Sequence, residues 1–190
     1  MPLRLNIVIA STRPGRVGPS VAAWFDGIAR AEGSFDVHLI DLADFNLPVY
    51  DEPRHPRMQQ YEHEHTRRWA ESVDAADAFV LVTPEYNFGP TPALLNALDY
   101  VYNEWTYKPA AFVSYGGISG GMRAVQVTKL TLTTLKMVPI MEAVTIPFVS
   151  EQVKEGRFEP KDVQAQSADA LLKELHRWAE ALKPMRGGAA

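Results

Sequence analysis

Five short apolar runs recur along the chain: LRLNIVIA (3–10), FDVHLIDL (35–42), DAFVLVT (77–83), PAAFVSY (109–115) and VPIMEAVTI (138–146). They are rich in β-branched residues and mostly apolar at successive positions, the pattern of strands buried on both faces of a parallel sheet. Helical periodicity fills the intervals, at about 19–32, 60–75, 91–102, 121–135 and 163–182. The first of these segments opens on a proline and carries its apolar positions at Val21, Ala22, Phe25, Ile28 and Ala29, one stripe of a helix. Five strands alternating with five helices predict a doubly wound α/β sheet with helices on both faces. The longest irregular piece, ADFNLPVYDEPRHPRMQQ (43–60), is Pro-rich and charged and reads as a surface loop, and PMRGGAA (184–190) reads as a frayed end. No change of composition, internal repeat or low-complexity linker divides the chain, so residues 1–190 are expected to form one domain.

Composition narrows the chemistry. The net charge of −4 gives no electrostatic case for binding nucleic acid. With no cysteine there is no disulfide, no thiolate nucleophile and no cysteine-ligated metal. The N-terminal apolar run is too short for a secretory signal, and no run approaches the length needed to cross a bilayer. A cytoplasmic protein is expected.

Open α/β sheets bind ligands beyond the carboxyl ends of their strands, where the strand order reverses. In the order 2-1-3-4-5, the loops after strands one, three and four converge there, and these are the three most unusual loops of the sequence. STRPGRVGP (11–19) sets hydroxyls, backbone N–H groups and two arginines ahead of a helix, a site for a compact anion. It is neither a dinucleotide fingerprint nor an ATPase P-loop, and a solvated turn with surface arginines is the alternative. In TPEYNFGP (83–90) two prolines stiffen a loop whose Tyr86 and Phe88 offer flat apolar surface. The amides of Glu85, Tyr86 and Asn87 are expected to face the cleft; the alternative has the two rings packing the next helix. SYGGISGGMRA (114–124) holds four glycines between Gly116 and Gly121, as needed where backbone approaches a ligand closely or takes positive φ. A phosphate at one end and a flat polar heterocycle at the other describe an FMN-shaped ligand.

ASTRPGRVG, DLADFNLPVYDEP, TPEYNFGPTPALLNALDYV and YGGISGGMRA resemble, in the same order, four signature segments of the NADPH-dependent FMN reductase family. The resemblance implies a flavodoxin-like fold, bound FMN, and NADPH or NADH as electron donor. It matches Ser11, Arg13, Arg16, Val17 and Gly18 to the family's phosphate loop, and Pro84, Glu85, Tyr86, Asn87 and Phe88 to the segment lining the isoalloxazine ring. Ser114, Gly116 and Gly117 match the loop at the ring's pyrimidine side. Ala10 departs from the glycine of many members, and the stretch from Arg16 to Gly18 replaces the Ser and Asn of another branch.

Other residues attract attention for less. His55, His63 and His65 lie close in sequence, but positions two apart do not share a helix face, and a solvated surface is expected rather than a metal site. Asp41 and Asp44 read as loop polarity and capping. Trp69, Trp178 and the Leu/Ala stripe of the last helix read as core. Tyr100, Tyr102, Trp105 and Tyr107 cluster in YVYNEWTYKP (100–109), either as local packing or as an exposed interface. The resemblance implies a homodimer or homotetramer with its interface beside the flavin.

The expected function is hydride transfer from NAD(P)H to FMN, followed by electron transfer to a small-molecule acceptor: a quinone, a dye, a metal ion or oxygen. No side chain in the three loops is needed as a general acid or base. Arg13 would neutralise the phosphate, and the Gly116–Gly117 backbone would stabilise negative charge on the reduced ring. The rival readings are a dedicated quinone or azo reductase, a flavodoxin-type electron carrier, and an FMN-binding sensor without turnover.

Overall fold

A computed structural model describes residues 2–187. Five strands, β1 (Leu3–Ile9), β2 (Phe35–Asp41), β3 (Ala78–Pro84), β4 (Pro109–Tyr115) and β5 (Val138–Ile146), form one sheet in the order β2-β1-β3-β4-β5. Every pairing in it is parallel. The central strands β3 and β4 are buried at every residue, which is why their sequences run apolar without alternation. The edge strands β2 and β5 alternate in burial, since only part of their surface is covered.

The helices are α1 (Gly18–Glu32), α2 (Leu42–Phe45), α3 (Glu64–Asp74), α4 (Pro92–Asp99), α5 (Met122–Thr134) and α6 (Asp162–Leu182). Leu5, Ile7 and Ile9 of β1 point to one face, where they pack on Val21 and Phe25 of α1 and Leu171 and Leu175 of α6. Val8 and Ala10 point to the other face, covered by Trp69 of α3, Leu94 and Leu98 of α4 and Leu132 of α5. The two cores follow from the period-2 geometry of strands combined with the 3.6-residue stripe of each helix. Trp69 is buried as expected and its indole N–H donates to Ala97 O at 2.8 Å, whereas Trp178 is 38% exposed and belongs to the surface of α6.

Three segments differ from the sequence reading. The stretch 43–60 contains the last residues of α2 and a 3-10 turn at Pro56–Met58, and it is fastened to α4. Tyr50 N–H donates to Asn96 Oδ1 at 2.9 Å, Asn96 Nδ2 donates to Pro48 O at 2.6 Å, and Tyr100 Oη donates to Asp51 Oδ1 at 2.9 Å. A two-stranded hairpin, β6 (Val153–Lys154) and β7 (Arg157–Phe158), turns at Glu155 and Gly156, and its Phe158 ring meets Trp24 of α1 edge-on. The described part of the tail is held by Arg186, which donates to Asp77 Oδ1 at 2.7 Å and to Tyr107 O at 3.1 Å. Residues 188–190 of the expected frayed end lie outside the described residues.

Tyr100 and Trp105 also prove to be core, at 0% and 1% exposure. Tyr102 and Tyr107 are half-buried, and Tyr102 Oη donates to Thr134 O at 3.0 Å. Tyr100 and Trp105 are therefore local packing and offer no interface surface, while Tyr102 and Tyr107 keep part of their surface exposed.

Candidate functional site

The strand order reverses at β1, and the loops that follow β1, β3 and β4 are tied together at their carboxyl ends. Ala10 N–H donates to Val82 O at 3.0 Å and Glu85 N–H to Tyr115 O at 3.2 Å. Thr91, the N-cap of α4, accepts from Leu94 N–H while its hydroxyl donates to Ala10 O at 2.6 Å.

The loop after β1 ends on the N-terminus of α1. Among the described residues, the amides of Ser11, Thr12, Arg13, Gly15, Val17 and Gly18 meet no protein acceptor, while Pro14 and Gly15 form a turn closed by the Arg16 amide. Such a run of free N–H groups at a helix start attracts a compact anion. Gly18 allows the close packing: a Cβ there would lie 2.5 Å from Ser11 Oγ and 2.8 Å from Tyr115 Oη. Ser11 is buried, and its hydroxyl is hydrogen-bonded to Tyr115 Oη at 3.2 Å.

The two arginines have separate fates. Arg13 is exposed and forms no ion pair or hydrogen bond among the described residues. Arg16 is committed to the protein, donating through Nη1 to Asp41 Oδ1 at 2.7 Å and through Nη2 to Asp41 Oδ2 at 2.5 Å, with a further bond to Ser11 O. Asp41 also accepts from Ala43 N–H as the N-cap of α2, so the expected capping role is present alongside a partner that its sequence position did not suggest.

After β3, Tyr86 and Gly89 exchange both backbone hydrogen bonds at 2.9 Å around Asn87 (φ 49°) and Phe88 (φ 69°). Both central residues stand at positive φ, as a type I′ turn requires. The Glu85 and Tyr86 amides are thus used internally, contrary to expectation, and only the Asn87 amide is without a protein acceptor among the described residues. Phe88 is 66% exposed and lies under the Arg123 guanidinium, 4.2 Å from its ring centroid. Glu85 holds that arginine: Arg123 Nη1 donates to its Oε1 at 2.9 Å, and Ser119 Oγ and Arg123 N–H donate to its Oε2 at 2.9 and 3.1 Å. Burial alone would push the Glu85 carboxyl upward, but donation from Ser119 and Arg123 outweighs it and holds the pKa below the usual glutamate value.

In the loop after β4, Ser114 is buried and its hydroxyl donates to Gly120 O at 2.8 Å. Gly120 and Gly121 take positive φ, and a Cβ on Gly121 would lie 2.8 Å from Ser114 Cβ. Two of the four glycines therefore serve the turn itself. Gly117 has open space where a Cβ would point; its carbonyl accepts from the Gly120 and Phe148 amides, and its own amide meets no protein acceptor among the described residues, whereas the Gly116 amide, expected to face the ring, donates to Ile146 O at 3.2 Å.

Ser11, Arg13, Arg16, Val17, Pro84 and Tyr86, all expected in the site, line one small cleft together with Tyr115. Tyr115 was missed because it ends an apolar strand and reads as core. Burial pushes its phenol up to about 12, only partly offset by Ser11, so it stays a neutral hydroxyl at neutral pH. The Tyr86 hydroxyl oxygen is buried in the same region and has no partner. An orphaned hydroxyl, unpaired amides and an unpaired guanidinium make a donor set without an acceptor, which fits the phosphate of FMN. A cavity of about 580 Å³ lies away from this cleft, between residues 50–57 and the ends of α4 and α5.

His63 and His65 do come together: their rings stack 5.1 Å apart, and His65 Nε2 lies 3.1 Å from Asp51 Oδ1. Helical spacing does not apply because His63 is the extended N-cap of α3. No three His, Cys, Asp or Glu side chains among the described residues are grouped to hold a metal ion.

A doubly wound sheet carrying an anion loop, a stiff aromatic turn and a glycine loop at its switch point defines a flavodoxin-like flavoprotein. The chain belongs to the NADPH-dependent FMN reductase family, whose profile matches residues 3–151, and it is an FMN-dependent NAD(P)H oxidoreductase. It is 37% identical over 160 residues to an NAD(P)H-dependent FMN reductase of Schizosaccharomyces pombe, covering 83% of this chain and 79% of the relative. It is 30% identical over 142 residues to a quinone reductase of Pseudomonas putida, covering 72% of each. Among solved structures, FerB, a flavoenzyme NAD(P)H:acceptor oxidoreductase from Paracoccus denitrificans, superposes with a TM-score of 0.75 at 21% identity. That superposition covers 95% of this chain and 98% of FerB.

Proposed function

We propose that residues 1–190 form a single FMN-binding domain that accepts a hydride from NADPH or NADH and passes electrons to a quinone or similar small acceptor. The observation that carries this reading is the cleft where free amides, Arg13 and the Tyr86 hydroxyl converge without an acceptor of their own. Bound FMN supplies a ring that takes a hydride and releases electrons singly or in pairs. The protein's share is position and electrostatics. Ser11, Arg13 and the N-terminus of α1 hold the phosphate, with Val17 and Gly18 shaping that loop. The turn from Pro84 to Phe88 is fixed by the Glu85–Arg123 pair and borders the ring. The amide of Gly117, beside Gly116, is available to stabilise charge on the reduced ring. Arg16 and Ser114 support this arrangement from within the protein.

The quinone preference draws on relatives such as the Pseudomonas putida quinone reductase. Donor and acceptor use the same ring face in turn in this reading, which yields ping-pong kinetics. Absence among the described residues of any helix able to cross a membrane is compatible with the cytoplasm. A homodimer or homotetramer is proposed through α5, since Trp105 of the aromatic cluster is buried within the chain. Arg123, Val127 and Leu130 share one face of that helix, Val127 and Leu130 are exposed, and Arg123 links them to Phe88 at the site.

The test is titration of apoprotein with FMN, riboflavin and FAD by fluorescence quenching, then NAD(P)H oxidation by the loaded protein with quinone as acceptor. Tightest binding of FMN and parallel double-reciprocal plots are expected. FMN binding without any NAD(P)H oxidation would support an electron carrier or sensor instead.

A further inference from the structure

The cavity between residues 50–57 and the ends of α4 and α5, about 580 Å³, has the size that encloses one small ligand, and the FMN reading leaves it unused. Tyr50, Val101 and Leu135 give it apolar walls. Its charged groups are less easily explained by the fold. Asp99 is the last residue of α4, where the negative end of the helix dipole disfavours a carboxylate. It has no hydrogen bond or ion pair among the described residues, and lost hydration raises its pKa above the ordinary value with nothing to offset it. A carboxylate so placed lacks a donor.

Arg57, on the facing segment, has no carboxylate partner among the described residues. Its Nη2 donates to Tyr102 Oη at 2.7 Å, and its guanidinium lies 4.3 Å from the centroid of that ring. Tyr102 donates in turn to Thr134 O at 3.0 Å. Neutral groups thus hold the guanidinium in place and leave its charge uncompensated. His55 Nδ1 accepts from the Arg57 amide at 3.2 Å, which leaves the ring proton on Nε2, a second donor without an acceptor among the described residues. Arg54 is already engaged by Gln60 and Glu62. Arg57 and Asp99 line one cavity, yet they do not pair with each other.

We propose that this cavity binds a planar aromatic anion carrying a hydroxyl or amino group at its far end. The anion meets Arg57 and His55 Nε2, the ring lies against Tyr50, Val101 and Leu135, and the hydroxyl or amino group donates to Asp99. Two sources share this chemistry: a hydroxyaryl acid, and an adenine nucleotide with its phosphate at one end and its base amino group at the other. The cavity shares no lining residue with the cleft of Ser11, Tyr86 and Tyr115, so the proposal does not depend on the FMN reading.

The test is calorimetric titration of FMN-loaded wild type, Arg57→Gln and Asp99→Ala with hydroxynaphthalene sulfonate, naphthalene sulfonate and AMP. Wild type should bind one hydroxynaphthalene sulfonate or one AMP per chain, and the tighter of the two names the source. Arg57→Gln should weaken that ligand roughly ten- to a hundredfold, the range for a lost hydrogen bond to a charged group. Asp99→Ala should weaken it too, but should leave naphthalene sulfonate unchanged or bind it more tightly, because that probe has no hydroxyl and a repelling charge is gone. Urea midpoints no lower than wild type report an intact fold in both variants. No saturable binding of either ligand to wild type, or binding that both substitutions leave unchanged, overturns the proposal. Failure of FMN to load would refute the FMN reading alone, since the same titrations can be run on the apoprotein.

Discussion

Arg16 and Asp41 form a forked pair, with Nη1–Oδ1 at 2.7 Å and Nη2–Oδ2 at 2.5 Å, both side chains being less than one-fifth exposed. The pair joins the loop after β1 to the exit of β2, and Asp41 simultaneously caps α2. Two arginines three residues apart thus divide the work: Arg16 shapes the loop and Arg13 is left for the ligand.

Arg16→Ala is therefore expected to act on stability. Removing the fork leaves Asp41 partly buried without its cation, at a cost of about 1–3 kcal/mol. Urea unfolding of the apoprotein measures it as a lower midpoint with unchanged slope. FMN affinity should fall only as far as the loop loosens.

Arg13→Ala should behave in the opposite way. Its side chain is exposed and has no protein partner among the described residues, so the apoprotein midpoint should stay within about 0.5 kcal/mol of wild type. FMN binding should weaken by roughly 1.5–3 kcal/mol, with riboflavin unaffected. Equal effects of the two arginine variants on FMN affinity would show that the division of roles is wrong.

Gly18→Ala tests the packing beneath the phosphate loop. The added methyl would sit 2.5 Å from Ser11 Oγ, 2.8 Å from Tyr115 Oη and 3.2 Å from Ile9 Cγ2. Overpacking of this kind costs about 1–3 kcal/mol. It must also part Ser11 from Tyr115 or lift the start of α1. Loss of both thermal stability and FMN affinity is expected, and a variant retaining both would mean that the loop relaxes freely.

What the sequence made legible depended on local chemistry. β3 and β4 declare themselves because strands buried on both faces carry no polar alternation. The three site loops stand out because Gly, Pro and Arg crowd where strands end. What stayed hidden depends on contacts distant in sequence. Arg16 meets a partner 25 residues away, and Ser11 meets one 104 residues away. Tyr115 reads as core because it is core; only the fold reveals that its hydroxyl borders the cleft. The cluster around Trp105 was ambiguous for the same reason, since nothing local says which ring turns inward. The hairpin at Val153–Phe158 is too short and polar to register, although Phe158 covers Trp24.

Lys108 gives the last prediction, which concerns pH. The side chain is 4% exposed, and its Nζ donates to Val73 O and Asp74 O at 2.8 Å, at the carboxyl end of α3. Those carbonyls and the helix dipole favour the cation, but burial outweighs them and the nearby Asp74, lowering the ammonium from 10.5 to about 8. Below pH 8 both folded and unfolded chains hold the proton, and this lysine contributes no slope. Between about 8 and 10.5 the unfolded chain binds more protons than the folded one, so stability rises with pH through that window. Above it both have lost the proton and the contribution levels off. The full gain is roughly 3 kcal/mol, from the free energy per pKa unit. Other groups titrate in the same range, so the measurement is a difference: urea midpoints of wild type and Lys108→Met from pH 7 to pH 10. Wild type should gain on the variant as pH rises. Two curves that stay parallel would mean that the carbonyls of α3 hold a fully charged lysine.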